Sequence, residues 1–483
     1  LSRFLDYAEG GAGFGAALFA RCVLTNFDAQ SETVVALATP SGEGGLAVVR
    51  VCGPEAFAVA AAVFEAEGFG PKPEPRRAVY GILKWPSGEL SSSSKAGCPI
   101  DQALALPFRG PHSYTGEDTV EFFCHGGRMV ARSVVSACRM AGAVPAAAGE
   151  FTRRAFLNGK LSLGQAEAVA DLIHAQSEHS ARAAVRQLLG GLDVQLREIE
   201  KPLLDLLAHI EGSLEFVDEE EIVVPRDEIL QVLSAGVERL DRLVDMAPAG
   251  RLLRDGVHVV LAGAPNVGKS SLFNALLEDD RAIVDGEAGT TRDVVSGRLH
   301  RAGSVFVLHD TAGLREDPGR VEEMGIARTW RQVAEADIVL ALNVAGEEAT
   351  VISPGGGAPV VSVFTKSDLV PDFVAPAGAL LVSSNSGEGL AGLWVAIDAV
   401  VAGFQLEEAI SLGVVLNERH LHKLSACRGD LERLRHEVDL NAPGDEVVGS
   451  LLSSILSGLG EVSGRVFTEH LLENIFQRFC VGK

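Results

Sequence analysis

Gly263-Ala-Pro-Asn-Val-Gly-Lys-Ser270 decides how the middle of this chain folds. It fits G-x-x-x-x-G-K-[ST], the loop that wraps nucleotide phosphates. The apolar run Val257 to Ala262 precedes it and reads as a buried strand. Ser271-Leu-Phe-Asn-Ala-Leu-Leu277 follows with helical spacing. The glycines let backbone N–H groups turn inward onto oxygen anions, and the helix N-terminus adds partial positive charge. In this register Lys269 reaches the β- and γ-phosphates, and the Ser270 hydroxyl is placed to bind Mg²⁺. Asn266, Val267, Gly268 and Ser271 complete the expected phosphate contacts.

The other motifs occur in the order a guanine-nucleotide switch needs. Gly289-Thr-Thr-Arg-Asp293 lies about twenty residues on, where a threonine, Thr291, completes the Mg²⁺ shell. Asp310-Thr-Ala-Gly313 follows the apolar run Val305 to Leu308. Asp310 holds Mg²⁺ through water, Thr311 and Ala312 continue the turn, and the Gly313 N–H senses the γ-phosphate. Thr365-Lys366-Ser367-Asp368 ends the run Val360 to Phe364. A carboxylate there accepts two hydrogen bonds from guanine N1 and N2, which adenine does not offer. Ser383-Ser384-Asn385 ends another strand and caps the guanine oxygen with a backbone N–H.

Two positions depart from the common pattern. Such loops usually begin with Asn where Thr365 stands, and a missing side-chain contact costs about 1 kcal/mol. The charge-assisted pair from Asp368, roughly 1.5–3 kcal/mol, remains. Leu314 stands where many GTPases carry a water-orienting glutamine, and leucine cannot orient water. Asn266 has two readings, a turn former or a ligand for a monovalent cation beside the phosphates.

Composition bounds the rest. At 483 residues about three domains are expected, at roughly 150 residues each. The formal charge of −23 argues against a general polyanion-binding surface and leaves nucleic acid to a local basic patch or a partner. Seven scattered cysteines without a C-x-x-C pair fit a reducing compartment and no zinc site. No apolar run reaches 18 residues, so no membrane span is expected. Residues 1–30 read as a poorly structured extension. An organellar transit remnant is the alternative, opposed by Asp6, Glu9 and Asp28.

Residues 31–155 read as mixed α/β, with strands over Thr33–Ala38 and Leu46–Val51. Leu189, Leu192, Leu196, Ile199, Leu203, Leu206 and Ile210 form one apolar helix stripe, with a kink or new helix expected at Pro202. Asp218 to Glu221 reads as a solvated turn. Thr468 is the expected N-cap of a helix with Leu471, Leu472, Ile475, Phe476 and Phe479 on one face. Helical segments thus flank the phosphate-loop region, as though it were inserted into a bundle.

With these residues assembled, the chain resembles the MnmE (TrmE) family of tRNA-modification GTPases from about residue 31 to residue 483. Segments specific to that family carry the resemblance. They are Ala38-Thr-Pro-Ser-Gly-Glu-Gly-Gly45 with Arg50, Ser113-Tyr-Thr-Gly-Glu-Asp118 with Glu121, His125-Gly-Gly127, Gly149-Glu-Phe-Thr-Arg-Arg-Ala-Phe-Leu-Asn158 with Lys160, and Phe479-Cys-Val-Gly-Lys483. The resemblance implies a multidomain fold, α/β plus all-α. An N-terminal α+β domain (31–155) binds tetrahydrofolate and dimerises. A discontinuous helical bundle domain (156–250 and 404–483) receives an inserted Ras-like P-loop G domain (251–403).

It also implies site residues. Arg50, Glu121, Lys160 and Lys483 match folate contacts: cations for the glutamate tail, a carboxylate for the pterin edge. K⁺ stimulates hydrolysis, held by Asn266 and by the loop Asp285-Gly286-Glu287-Ala288-Gly289-Thr290, chiefly Asp285, Glu287 and Thr290. Glu322 matches a residue that orients the attacking water, which answers the problem set by Leu314. Cys480 is either a nucleophile, with Arg478 and Lys483 lowering a thiol pKa of about 8.5, or a tail residue that shapes the folate site.

The implied activity is that of a homodimeric GTP hydrolase working with an FAD-containing MnmG-type partner in a heterotetramer. Together they place an aminomethyl or carboxymethylaminomethyl group on C5 of the tRNA wobble uridine. The carbon comes from 5,10-methylene-tetrahydrofolate, for which 5-formyl-tetrahydrofolate is an analogue. FAD enters only through the partner, and tRNA mainly through the complex. The expected compartment is cytoplasmic, or mitochondrial or plastid if the chain is eukaryotic. The rivals are a regulatory GTPase of ribosome assembly and one controlling a membrane transporter. Only the MnmE reading needs the folate set.

Overall fold

The structure is a computed structural model that describes residues 32–87, 96–215, 224–279, 295–310, 336–349, 357–441 and 443–483. The extension 1–30, Asp218 to Glu221, Asp285 to Thr291, Thr311 to Gly313, Leu314 and Glu322 lie outside the described residues. The chain divides into two compact units. One gathers the described parts of Leu1–Ala170, Leu196–Ser234 and Asp430–Lys483, the other those of Asp171–Gln195 and Ala235–Gly429.

The first unit is built on a seven-stranded sheet. Its strands are β1 (Val34–Leu37), β2 (Gly44–Cys52), β3 (Phe64–Glu65), β4 (Val79–Lys84), β5 (Pro99–Phe108), β6 (Thr119–Gly126) and β7 (Val144–Pro145). Their order is β3-β4-β5-β6-β2-β1-β7. Only the β1–β7 pair is parallel. Alternation splits the side chains between two faces. Val49, Val51, Leu83, Ala105, Phe122 and Cys124 point to one of them. There they are covered by α1 (Ala56–Val63) and α2 (Arg128–Met140), which contribute Val59, Ala60, Val134 and Ala137.

The opposite face differs along its width. At β1 it is covered by α3 (Glu150–Leu157), through Val34, Ala36 and Phe151. At β4 and β5 it is open. The register aligns Tyr80, Leu104, Phe123 and Val48 in one cross-strand row, and beside it pairs Ile82 with Gln102 and His125 with Leu46. Tyr80 and Leu46 are about two-thirds exposed (64% and 67%), so this apolar surface faces outward.

Helices complete the unit. Phe156 of α3 packs with Leu163 and Ala166, and with Leu472, Phe476 and Phe479 from the other end of the sequence. The Thr468 side chain accepts from the Leu471 N–H, so the expected N-cap of helix Glu469–Phe476 is present.

The expected stripe is corrected at its start, and no new helix begins at its proline. Helix Gly191–Glu215 runs through Pro202 without a break. The break falls earlier, where helix Glu178–Leu188 ends and Gly190 takes φ +95°. The left-handed residue stops the helix there. Leu189 therefore leaves the stripe and is 75% exposed. Leu192, Leu196, Ile199, Leu203, Leu206 and Ile210 are all buried.

The second unit holds a six-stranded sheet. Its strands are β8 (Val257–Gly263), β9 (Val295–Arg301), β10 (Ser304–Asp310), β11 (Ile338–Val344), β12 (Val360–Thr365) and β13 (Leu380–Leu381). The order is β13-β12-β11-β8-β10-β9, parallel except for the β9–β10 hairpin. The middle strands read as unbroken apolar runs because parallel strands are covered on both faces. Leu261, Leu272, Phe306, Leu340, Val363 and Trp394 form the centre of that core. No single helix among the described residues is long and apolar enough to cross a membrane.

Candidate functional site

The carboxyl ends of the parallel strands in the second unit converge on one edge. Register pairs Leu342 with Gly263, Asp310 with Leu261, Val344 with Thr365 and Phe364 with Leu381. The phosphate loop, Asp310, the Thr365–Asp368 loop and the Ser383 segment therefore leave the same side of the sheet. That is where open α/β sheets bind ligands.

Helix Lys269–Asp279 starts at the end of the phosphate loop, with Ser270 and Ser271 exposed at its first turn. Val267 is buried and anchors the loop in the core. Asn266 stands at φ +64°, a left-handed conformation that side chains seldom adopt and that is often stored at functional sites. Lys269 Nζ donates to Gly263 O and Ala264 O, both at 2.9 Å. Burial pushes its ammonium pKa down, and the Asp310 carboxylate pulls it back up. Asp310 itself is buried. A hydroxyl and a carboxylate at the phosphate end form the oxygen donor set that Mg²⁺ takes.

The base-side loop is tied to the phosphate loop. Thr365 is 2% exposed, and its hydroxyl reaches Val267 O and, at 3.1 Å, Asn343 O. Lys366, at φ +58°, donates to Asn266 O at 2.8 Å. Thr365 thus ties its loop to the phosphate loop. The hydroxyl has one proton for two carbonyls, where an asparagine amide would have two. Asp368 is exposed, and its Oδ1 accepts from the buried Ser383 hydroxyl at 2.8 Å. Ser384 is half-buried and Asn385 exposed.

The first unit carries a second cluster. Arg50 on β2 and Glu121 on β6 are direct cross-strand partners, with Nη2 and Oε1 2.7 Å apart. Alternation puts them on the same sheet face as the open apolar rows. The Arg50 guanidinium lies over the rings of Phe151 (5.1 Å) and Tyr114 (5.6 Å). The Tyr114 hydroxyl bonds Thr152 at 2.9 Å. Lys160 donates to Pro111 O at 3.1 Å, in the loop that carries Tyr114.

The segment 480–483 closes onto the same place. Phe151 N–H donates to Lys483 O at 3.1 Å, Gly149 N–H donates to Cys480 O, and Val481 bridges Ala148. Gly482 takes φ +100°, and a Cβ there would fall on Leu37 O, so only glycine passes. Cys480 is exposed. Arg50, Glu121 and the Lys483 backbone are thus brought together around Phe151, with Lys160 on the adjoining loop.

Tyr114, Glu117 and Arg154 lie within the family-specific segments, yet sequence alone does not single them out. Arg154 is 2% exposed and joins Glu150 (2.9 Å), Glu117 (2.8 Å) and Glu32 O (3.1 Å). The available signal is spacing: Arg154 shares the buried face of α3 with Phe151 and Ala155. A buried arginine implies carboxylate partners.

Comparison with known proteins identifies the family. Residues 163–480 match the family described as MnmE helical domain, and residues 33–160 match GTP-binding protein TrmE N-terminus. The tRNA modification GTPase MnmE of Symbiobacterium thermophilum is 40% identical over 468 residues, covering 94% of this chain and 99% of that protein. The protein of the same name from Thermus thermophilus is 40% identical over 455 residues, covering 94% and 100%. That from Akkermansia muciniphila is 40% identical over 456 residues, covering 94% and 99%.

Proposed function

The chain belongs to the MnmE family of tRNA-modification GTPases and is a GTP hydrolase; on that premise we propose that it works as a K⁺-stimulated homodimer with an FAD-containing MnmG-type partner. The pair installs an aminomethyl or carboxymethylaminomethyl group on C5 of the tRNA wobble uridine. When bound, methylene-tetrahydrofolate supplies the one-carbon unit. Arg50 and Glu121, paired side by side, contact one end of it, where Glu121 accepts from the pterin edge, and Lys160 and Lys483 are the cations left for its anionic tail. The convergence of Arg50, Glu121 and Lys483 around Phe151 supports this reading most directly.

In the second unit Lys269 binds the β- and γ-phosphates, and Asp368 selects guanine. When bound, Mg²⁺ neutralises charge on the β- and γ-phosphate oxygens. Ser270 and Thr291 are its proposed ligands, with Asp310 acting through water. K⁺, when bound, supplies the positive charge an arginine finger gives elsewhere. Asn266, Asp285, Glu287 and Thr290 are proposed to hold it. Leu314 leaves the water to be oriented by Glu322.

The folate claim has a direct test. Calorimetric titration of the full chain with 5-formyl-tetrahydrofolate should give micromolar binding that weakens at least tenfold in Arg50→Ala. One charge-assisted hydrogen bond, roughly 1.5–3 kcal/mol, accounts for that size. No heat of binding from a folded, GTP-hydrolysing sample would remove the folate reading.

The homodimer has its own support in the open sheet face. Leu46, Tyr80, Ile82 and Leu104 are exposed together there, and exposed apolar patches mark interaction surfaces. Ile82→Asp with Leu104→Asp should raise the dimer dissociation constant by about tenfold or more, since each side chain is 42% exposed and only that part of the roughly 1.5–3 kcal/mol for full burial is lost. Sedimentation equilibrium would show it, and an unchanged dimer would place the interface elsewhere.

A further inference from the structure

The chain is acidic, but its charge is unevenly spread. Residues 32–160 carry thirteen Lys and Arg against twelve Asp and Glu, a balance of +1 in a chain of −23. Within that segment, residues 122–149 contain Arg128, Arg132 and Arg139 and no carboxylate. All three arginines lie on α2 and are exposed. Spacings of four and seven put them on one helix face, spread over about 16 Å of axis. Among the described residues none of the three has an ion-pair partner. Asp101, beside the start of α2, is engaged by the His125 ring and backbone N–H.

The opposite side of α2 is fixed by packing. Ala131, Val134, Ala137 and Cys138 are buried against the sheet. The arginines therefore point away from the sheet, on the side opposite the open apolar rows and the Arg50 cluster. A partner on this face interferes with neither.

We propose that the Arg128–Arg132–Arg139 face of α2 is where this chain itself holds the phosphate backbone of tRNA. The proposal rests on the tRNA-modification reading and adds a surface to it. Charge complementarity carries the choice of partner. Guanidinium groups pair with phosphate in fork geometry, and a row of unpaired arginines on a rigid helix is the footprint of a polyanion. The acidic remainder of the chain repels RNA, so binding is confined to this face and the MnmG-type partner takes the larger share.

The test uses the full chain and a fluorescently labelled tRNA, with anisotropy read between 50 and 200 mM KCl. The triple variant Arg128→Gln, Arg132→Gln, Arg139→Gln should bind at least tenfold more weakly at low salt. Its plot of log affinity against log salt should flatten by about 2–3, roughly one for each phosphate that is no longer neutralised. The Arg→Lys triple should retain most of the slope. GTP hydrolysis without tRNA should be unchanged in both, which shows that the variants fold. Equal affinity and slope in the Gln triple and the wild type would overturn the surface while leaving the tRNA reading standing. No tRNA binding by the wild-type chain at 50 mM would overturn the surface too, and folate titration would then decide the wider reading. Unweakened tRNA binding alongside reduced affinity for the MnmG-type partner would reassign the face to a protein interface.

Discussion

Asp368→Asn is expected to weaken GTP binding by about 10²–10⁴-fold and to confer binding of xanthosine triphosphate. On the proposed reading the carboxylate accepts from guanine N1–H and from the 2-amino group. Each charge-assisted bond contributes roughly 1.5–3 kcal/mol. An asparagine keeps one acceptor but turns an N–H toward the 2-amino group, placing donor against donor. Xanthine carries a carbonyl at that position and restores the pair. The loop should survive the change, because the Asn oxygen can still accept from the Ser383 hydroxyl that bonds Asp368 Oδ1. Thr365 and Lys366 also still tie the loop to Val267 O and Asn266 O. Fluorescent-nucleotide titration and turnover with both triphosphates would measure the switch. GTP affinity within threefold of wild type would mean that another group reads the base.

Arg154→Met should lower the first unfolding transition by roughly 6–20 °C. Arg154 is almost fully buried between Glu117, Glu150 and the Glu32 carbonyl. Glu117 also receives the Cys52 thiol and the Asn158 amide, so it is held in place and cannot turn to water cheaply. Removing the guanidinium leaves two carboxylates crowded and partly desolvated, which destabilises by about 3–5 kcal/mol. For a unit of this size each kcal/mol moves the midpoint by about 2–4 °C. Arg154→Lys should fall in between, since an ammonium keeps the charge but not the fork. Calorimetry decides: a shift under 2 °C for the Met variant would mean the three oxygens find other partners.

The legible parts of the sequence are those in which a motif carries its own geometry. The phosphate loop can be read because strand, glycine turn and helix start lie within twenty residues. Asp310, Thr365 and Ser383 can be read because each ends an apolar run. The break at Gly190 escapes notice because the three-four spacing continues across it, and spacing is blind to a left-handed residue. The bond from Thr365 to the phosphate loop is hidden because its acceptor, Val267 O, lies about a hundred residues away. Arg154 is hidden for the same reason: nothing local names Glu117 as its partner. The Arg50–Glu121 pairing follows from strand register, which alternation alone does not fix.

Residues 480–483 close over Leu37 and α3, and that makes the order of synthesis matter. A ribosome releases residues 32–160 long before it has made Lys483. At about 5–20 residues per second, roughly 15–65 s separate the two. During that interval Gly149 and Phe151 lack the carbonyls that receive them, and the face carrying Arg50 lacks one wall. A nascent chain can thus form its first sheet early but cannot finish the Arg50 cluster until translation has passed the entire phosphate-binding unit. Truncated products of the same message would keep that cluster open.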